Sequence, residues 1–559
     1  MGGLFSQFPA GLARSTERNR FWITQLSGDR GIGVHRDARI TMPFLFVEEF
    51  LNLTIWAIVR RGLMAFLLSA FALAQTAEQR TARYLDSIRS QPSLLLAFLR
   101  EMPKGGDLHN HLYGAIYAED LIDFAASGNF CVDRTTSHLM GAPCDSCETY
   151  TPKPAVRCAY DDHILYNRII DAWSMRNWRP GEESGHDHFF ATFDKFVLAA
   201  DTHLADALAT VINRAAREHV QYIELMHTAD LNAAAGLGMK LGWDNDFAKM
   251  REKLLAGGLK EIIAATSKTV ADDDARAHRE LECGTPHPEP GCTVTVRCLY
   301  QVLRGLPQAA VFAQIVLGFE LASSDPHFVG LNLVMPEDWY VPIHDFNQHM
   351  AMLDYLHGVY PRVHISLHAG ELAMGLVKPE DLSFHIRASV ERGHAERIGH
   401  GVDVMLEEDS IGLMKEMAAR NILVEINLTS NDQILDVSGD DHPLPAYMKY
   451  GVPVALSSDD EGVARSNMTH EYLRAVEGYR LPYTDLKRMT RQSLEHSFLP
   501  GESLWADTRI IFRPVAACAP DVATEQTPSP ACEKFLAANE RAREQWKLEA
   551  EFARFEKKF

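Results

Sequence analysis

Gly106-Asp107-Leu108-His109-Asn110-His111-Leu112 is a short strand-like run that contains two histidines, and it is the first of eight such runs along the chain. Amphipathic stretches, such as residues 204–219 and 410–420, separate the runs, and this alternation is typical of a parallel sheet. The predicted strands are residues 106–112, 220–226, 293–299, 328–334, 364–367, 397–400, 422–426 and 452–456. Eight successive β-then-α units predict an α/β fold, a closed (β/α)8 TIM barrel, rather than an open sheet.

Several predicted strands end in residues that titrate or bind metals. In a parallel barrel, reactive groups gather at the C-terminal ends of the strands. The relevant ends carry His109 and His111 (strand one), His368 and Glu371 (strand five), His400 (strand six), and Asp459 and Asp460 (strand eight). We therefore predict that these side chains meet at one mouth of the barrel.

Each of these patterns is weak by itself. A single His-x-His is more often no ligand pair, a lone His400 would more often be a core histidine, and Asp459-Asp460 alone would more often cap a helix. A second pair, His186 and His188, stands at a helix start, where the two rings point in different directions, and we interpret it as surface residues. The joint occurrence at one end of a barrel carries the prediction of a metal centre.

The donor atoms favour zinc. Two histidines separated by one strand residue lie on the same face, because side chains alternate along a strand. His109, His111, His368 and Asp459 make a nitrogen and oxygen donor set that suits one Zn²⁺ per chain and leaves room for a water molecule.

Five motifs follow one another over roughly residues 101–500: residues 102–111, 368–371, 397–401, Glu425 with 429–431, and 457–460. In residues and in order, these motifs resemble those of the adenosine deaminase family. The resemblance implies a zinc-dependent barrel hydrolase that converts adenosine or a related adenine nucleoside to the 6-oxo purine and ammonia. It implies that Glu371 protonates ring atom N1, that His400 works on the attacking water, that Asp460 contacts N7, and that His109, His111, His368 and Asp459 bind zinc.

The layout is most similar to the secreted branch of that family, the adenosine deaminase-related growth factors. That branch carries a cysteine-bearing segment after strand one, and residues 129–184 stand in the same place here. Phe190 and Phe193, just beyond it, could form an apolar wall for the base or could pack against the barrel, which is the interpretation we favour.

Two positions depart from the family pattern. Tyr113 stands where the family commonly has an aspartate that contacts ribose, and Met335 stands where a glycine leaves space near N3 of the purine. Both are expected to contact the substrate. The preferred purine is therefore left open, and deamination of adenine or of a modified purine nucleoside is the first alternative. A secreted binding protein with an idle barrel is the second, but such a protein is expected to have lost a zinc ligand or Glu371.

Charge argues against a nucleic-acid partner, because the formal net charge is −20 and lysines and arginines form no cluster. The expected partner is a small-molecule purine nucleoside. The apolar runs 51–59 and 62–74 are shorter than the roughly 18 residues that a membrane span needs.

The ends of the chain predict export. Residues 1–58 are interpreted as upstream read-through or disordered sequence, 59–74 as a signal peptide, 75–500 as the barrel, and 501–559 as a disulfide loop and helix.

The nine cysteines fall in compact groups, for which we predict Cys283–Cys292 and Cys518–Cys532 bonds and an unpaired Cys298. Helix 531–558 could cap the barrel or contribute to a homodimer. The chain is thus expected to be periplasmic or secreted.

Overall fold

The computed structural model describes residues 75–148, 150–181, 183–509, 511–521 and 527–559. The interpretations of residues 1–58 and 59–74 lie outside the described residues. Among the residues described, no helix combines the length and apolar character needed to cross a membrane.

Eight parallel strands form one continuous sheet in sequence order. We number them β1 (Gly105–His111), β2 (Val220–His227), β3 (Thr295–Leu303), β4 (Phe328–Val334), β5 (His364–Ala369), β6 (Arg397–His400), β7 (Leu423–Ile426) and β8 (Val454–Leu456). The chain just after β8 closes the ring, because the backbone N–H of Asp459 donates to the carbonyl of His109 at 2.8 Å. The predicted TIM barrel is confirmed, and all eight predicted strands overlap the observed ones.

Helices surround the strands and bury apolar faces against them. Each of β2 to β8 is preceded by an α-helix, and the last one before each strand is, in order, Leu204–Arg217, Lys260–Glu280, Gln308–Ser324, Phe346–Val359, His385–Glu391, Ser410–Arg420 and Leu444–Tyr450. Tyr483–Glu495 is one of the helices that follow β8. Gln308–Ser324 is apolar nearly all round and almost completely buried, whereas Leu204–Arg217 has one polar face. This difference follows from hydrophobic patterning, since a helix that is apolar on all sides needs neighbours on all sides.

The segment after β1 is cross-linked by Cys131–Cys144 and Cys147–Cys158. It contains a small hairpin, Cys131–Val132 with Leu139–Met140, and the helix His163–Ala172. Two further helices, Gly185–Phe190 and Phe193–Thr202, follow it, and we call them the cover helices.

One buried tryptophan joins the cross-linked segment to the cover helices. The Trp173 indole N–H donates to the carbonyl of Ser137 at 2.8 Å, between the two cysteines of the first disulfide. Phe196, on the second cover helix, packs edge-on against Trp173. The disulfide loop therefore supports the position of that helix.

The other cysteines follow the prediction. Cys283–Cys292 and Cys518–Cys532 are bonded, and Cys298 is free in β3. Cys298 is the unpaired thiol because it lies in a strand of the barrel, where its neighbours are other strands and helices.

The C-terminal region corrects one prediction. The single helix expected over residues 531–558 is two helices, Pro530–Ala538 and Glu540–Glu556, separated at Asn539. Asn539 has an extended backbone, and its side-chain carbonyl accepts a hydrogen bond from the Glu502 N–H at 2.8 Å, which anchors the break. The second helix closes the N-terminal end of the barrel, where Gln221 at the start of β2 donates to the carbonyl of Glu544.

Candidate functional site

The predicted site residues meet at the C-terminal end of the barrel. His109 and His111 lie on β1, His368 on β5 and His400 at the end of β6, while Glu371, Asp459 and Asp460 lie on the loops after β5 and β8. Apart from His111, which is partly exposed, these side chains are buried. The convergence expected from the strand ends is therefore present.

Each of the three strand histidines is oriented by a hydrogen bond to its Nδ1 atom. The acceptors are Glu425 for His109 (2.7 Å), Gln301 for His111 (2.9 Å) and Asn332 for His368 (2.8 Å). Because Nδ1 donates in each case, Nε2 is left with its lone pair. Such partners are typical of metal-binding histidines, whose rings they orient.

The free Nε2 atoms converge on one point. Nε2 of His111 and Nε2 of His368 are 3.2 Å apart, and Oδ1 of Asp459 lies 3.6 Å from Nε2 of His109 and 3.4 Å from Nε2 of His111. The His109 Nε2 atom is buried and has no hydrogen-bond partner in the part of the chain that the structure describes. Burial lowers the pKa of His111 to about 4, so its imidazole is neutral near pH 7. Lone pairs that face each other across a buried space repel unless a cation lies between them, and three imidazoles with one carboxylate fit Zn²⁺.

Two titratable groups stand beside this donor set. Nε2 of His400 lies 3.7 Å from Oε1 of Glu371 and 3.9 Å from Oδ2 of Asp459. Burial raises the pKa of Glu371, and the charge of Asp459 adds to this. Burial alone would lower the pKa of His400, but the carboxylates of Glu371 and Asp459 outweigh it and raise the pKa. Nδ1 of His400 is held by Asn431 at 2.9 Å.

The backbone is strained at two of these residues. His400 has φ 67° and Asp459 has φ 57°, which is the left-handed region that side chains other than glycine rarely adopt. Strained residues of this kind persist where the surrounding structure holds them, and they are common at functional sites. The Asp459 side chain is fixed by Ser430, whose hydroxyl donates to Oδ2 at 2.6 Å.

Asp460 is buried against the short helical turn Leu112–Ala115 that follows β1. Among the described residues its Oδ1 atom has no hydrogen-bond partner, and a Cβ added to Gly114 would lie 1.6 Å from that atom. Burial raises the pKa of Asp460 well above its ordinary value, with the charges of Asp459 and Glu371 adding to the effect. An unpaired buried carboxyl next to a cavity is available to a ligand.

A cavity of about 510 Å³ opens above these residues. This volume is in the range of small-molecule sites. Phe190 and Phe193, from the cover helices, line it and are half-buried, so they form part of an apolar wall as well as packing against the barrel.

The surface interpretation of His186 is wrong. The residue is only 8% exposed and lines the cavity, because its ring lies between Asp187 and Asp338, with Nε2 of His186 2.9 Å from Asp338. Burial lowers the pKa of His186, but the hydrogen bonds to the two aspartates raise it to about 9. His188 is half-buried and bonds Glu183. A sequence pattern that places a histidine on a helix start does not reveal a partner 152 residues away.

The two positions that depart from the family pattern both line the cavity. Met335 follows β4 with φ 82°, and its carbonyl accepts a hydrogen bond from Nε of Arg304 at 3.1 Å. Tyr113 donates its hydroxyl hydrogen to Oδ1 of Asp201 at 2.6 Å. Sequence reasoning assigned no role to Asp201 or to the residues that orient the histidines. A charged residue such as Glu425 inside an apolar strand was the available signal.

Comparisons with known proteins match this chain to one family model and to several relatives. The model of the family described as adenosine deaminase matches residues 174–505, more than half of the chain. An adenosine deaminase from Mycobacterium sp. (strain KMS) is 27% identical over 266 residues, which are 46% of this chain and 66% of that protein, just under two thirds. An adenosine deaminase from Enterococcus faecalis is 25% identical over 331 residues, 58% of this chain and 80% of that protein. Among solved structures, the apo N6-methyl-AMP deaminase from Arabidopsis thaliana has a TM-score of 0.47 and 18% identity, covering 72% of this chain and 94% of that one.

Proposed function

This chain belongs to the adenosine deaminase family, and from that premise we propose that it hydrolyses the exocyclic amine of adenosine or a related adenine nucleoside, giving the 6-oxo purine and ammonia. The observation that carries the proposal is the convergence of three Nε2 lone pairs and the Asp459 carboxylate beside Glu371 and His400. An amine on an aromatic ring leaves slowly in water, so this reaction needs an activated nucleophile and a proton donor, and the cluster contains groups for both.

We assign zinc binding to His109, His111, His368 and Asp459, one ion per chain. When bound, Zn²⁺ lowers the pKa of a water molecule so that it becomes a nucleophile near neutral pH. Gln301 and its counterparts on the other histidines keep each Nε2 pointed inward.

The remaining chemistry belongs to side chains of this protein. His400 Nε2, which has no hydrogen-bond partner among the described residues, accepts a proton from the attacking water and passes it to the amine, which leaves as ammonia. Glu371 donates a proton to N1 of the purine, which lets the ring accept electrons at the adjacent carbon. The second proton of the water returns to Glu371 as the 6-oxo group forms. Asp460 holds the opposite edge of the ring at N7. The cover helices exclude bulk water by placing Phe190 and Phe193 over the cavity.

The position of Met335 also supports a second class of substrate. Met335 places a side chain where the cavity floor would otherwise be open, so deamination of adenine or of a modified purine nucleoside is the alternative on the same residues. An idle barrel is not favoured, because every predicted zinc ligand and Glu371 is present.

The test is ammonia release by zinc-loaded protein from adenosine, 2′-deoxyadenosine, adenine and AMP, with and without a chelator. We expect turnover of at least one nucleoside, lost on chelation and restored by zinc. If no compound is deaminated by protein that carries one zinc per chain, the proposal is wrong.

We further propose that the protein is exported and belongs to the secreted branch of the family. Four disulfides support this, since such bonds persist in oxidising compartments. The homodimer remains a prediction, and the helix Glu540–Glu556 makes its described contacts within the chain.

A further inference from the structure

Asp201 is one of the cavity carboxylates that have no part in the proposed chemistry. Asp201 lies near the end of the second cover helix, is half-buried and lines the same cavity as the zinc-binding residues. Its Oδ1 accepts the hydrogen bond from Tyr113, and its Oδ2 has no hydrogen-bond partner among the described residues. A carboxylate oxygen at the cavity that has no protein donor can accept a hydrogen bond from a ligand.

The Tyr113–Asp201 pair lies in the part of the cavity that the sugar of a bound nucleoside would occupy. Tyr113 follows the zinc-binding His111 by two residues, so the pair stands close to the metal end of the cavity. Leu231 and Trp339 line the cavity and are 50% and 44% exposed, so they mark its opening. A purine whose amine points at the zinc has N9 on its far side. The group attached to N9 therefore extends from the metal end toward the opening, past the half-buried pair.

The charges around the cavity favour a hydroxyl group over a phosphate. No lysine or arginine lines it among the described residues. His186 is protonated near pH 7, but its two ring nitrogens are both engaged by carboxylates. His227 borders the cavity beside Tyr113, and burial lowers its pKa to about 4, so it is neutral. The aspartates would repel a phosphate, and no free cation is present to offset that repulsion among the described residues that line the cavity. A hydroxyl group, in contrast, can donate a hydrogen bond to Asp201.

We propose that Asp201, held in place by Tyr113, recognises the sugar by accepting a hydrogen bond from a ribose hydroxyl group. Asp201 is then the residue of the second cover helix that distinguishes a nucleoside from free adenine. This inference rests on the proposed function, because it takes the amine of the purine to lie at the zinc.

The test compares variants over a substrate series that removes one hydroxyl at a time. Asp201→Ala and the wild type are assayed with adenosine, its 2′-, 3′- and 5′-deoxy analogues, adenine and AMP. We expect Asp201→Ala to lower kcat/KM for adenosine by about 10- to 100-fold, the loss typical of a hydrogen bond to a charged group. The variant should show no loss with the deoxy analogue that lacks the bonded hydroxyl, nor with adenine. For the wild type, kcat/KM with AMP should be roughly 100-fold below that with adenosine.

Two further variants separate recognition from folding. Asp201→Asn keeps an acceptor and should lose less than Asp201→Ala, while Tyr113→Phe frees Asp201 and should raise KM for adenosine with little change for adenine. Asp123→Ala is the matched control, because Asp123 also accepts a tyrosine hydroxyl at 2.6 Å, from Tyr160, on the exposed surface. It should leave all of these rates unchanged.

Product binding separates the failure of this inference from the failure of the proposed function. Calorimetry with inosine and hypoxanthine measures the sugar contribution without turnover. Asp201-dependent binding of inosine by a protein that deaminates nothing would refute the proposed reaction and keep the sugar site. The inference is overturned if Asp201→Ala lowers kcat/KM equally for adenosine, every deoxy analogue and adenine. It is also overturned if kcat/KM for adenosine is unchanged. Equal turnover of AMP and adenosine by the wild type would overturn it too.

Discussion

Replacing Met335 by glycine tests whether this residue narrows the cavity at a cost in backbone strain. Met335 has φ 82°, a conformation that costs a side-chain-bearing residue about 1 kcal/mol relative to glycine. The main-chain position does not depend on the side chain, because Arg304 donates to the Met335 carbonyl. The Met335→Ala variant removes the long side chain and keeps the strain. The Gly variant should therefore be more stable than the Ala variant by about 1 kcal/mol.

The assay is thermal unfolding of both zinc-loaded variants, followed by kinetics and metal analysis. The Gly variant should unfold roughly 1–2 °C above the Ala variant, a small shift because the unfolding entropy of a large barrel is large. Met335→Gly should also change KM, or the preference between adenosine and adenine, by about tenfold. This is the effect expected when one apolar contact in a binding pocket is lost. Zinc content should stay at one per chain, since no predicted ligand depends on the methionine side chain. A Gly variant no more stable than Ala, or one that loses zinc while its substrate preference is unchanged, would refute this reasoning.

Three other changes give distinct readouts. Glu371→Gln should lower kcat by at least about 100-fold while zinc content by elemental analysis is unchanged; a large loss of zinc would show that Glu371 serves the metal instead. Gln301→Ala, which removes the partner of His111 Nδ1, should weaken zinc binding by about 10- to 100-fold in competition with a chelator, and an unchanged affinity would contradict the orienting role. His186→Gln should lower thermal stability at pH 6 but not at pH 10. The folded-state pKa of about 9 is raised, so the stabilisation is complete below about pH 6.5 and is lost as pH rises through 9. Equal destabilisation at both values would show that the charge of His186 does not matter.

The barrel could be predicted from sequence because its signals are local and repeated. Each strand is a short run between helical stretches, and the predicted β4 and β6 have the observed bounds, 328–334 and 397–400. The C-terminal helix was predicted as one element because its periodicity continues through Asn539. What breaks it is a hydrogen bond to Glu502, a contact that periodicity cannot reveal.

The same distinction applies to the site. The residues proposed to bind zinc could be predicted because barrel topology brings strand ends together. The partners that orient them, such as Asn332 and Gln301, are ordinary polar residues in strands, and their role depends on which neighbour each one faces. Asp201 was missed for a related reason. It lies on a helix that follows a cross-linked insertion, and the path of that insertion over the barrel has no periodic signature.

The contact between Trp173 and Ser137 gives the two sides of the cavity different chemical vulnerabilities. The floor is formed by barrel strands and by the proposed zinc ligands, so a chelator would act there. The cover helices form the opposite side, where Phe196 packs on Trp173, and Trp173 is hydrogen-bonded to the Cys131–Cys144 loop. The helix that contains Phe196 also contains Asp201. Thiol reagents would therefore disturb the position of Asp201 and leave the proposed zinc ligands untouched, so reduction of this disulfide should change KM and not zinc content.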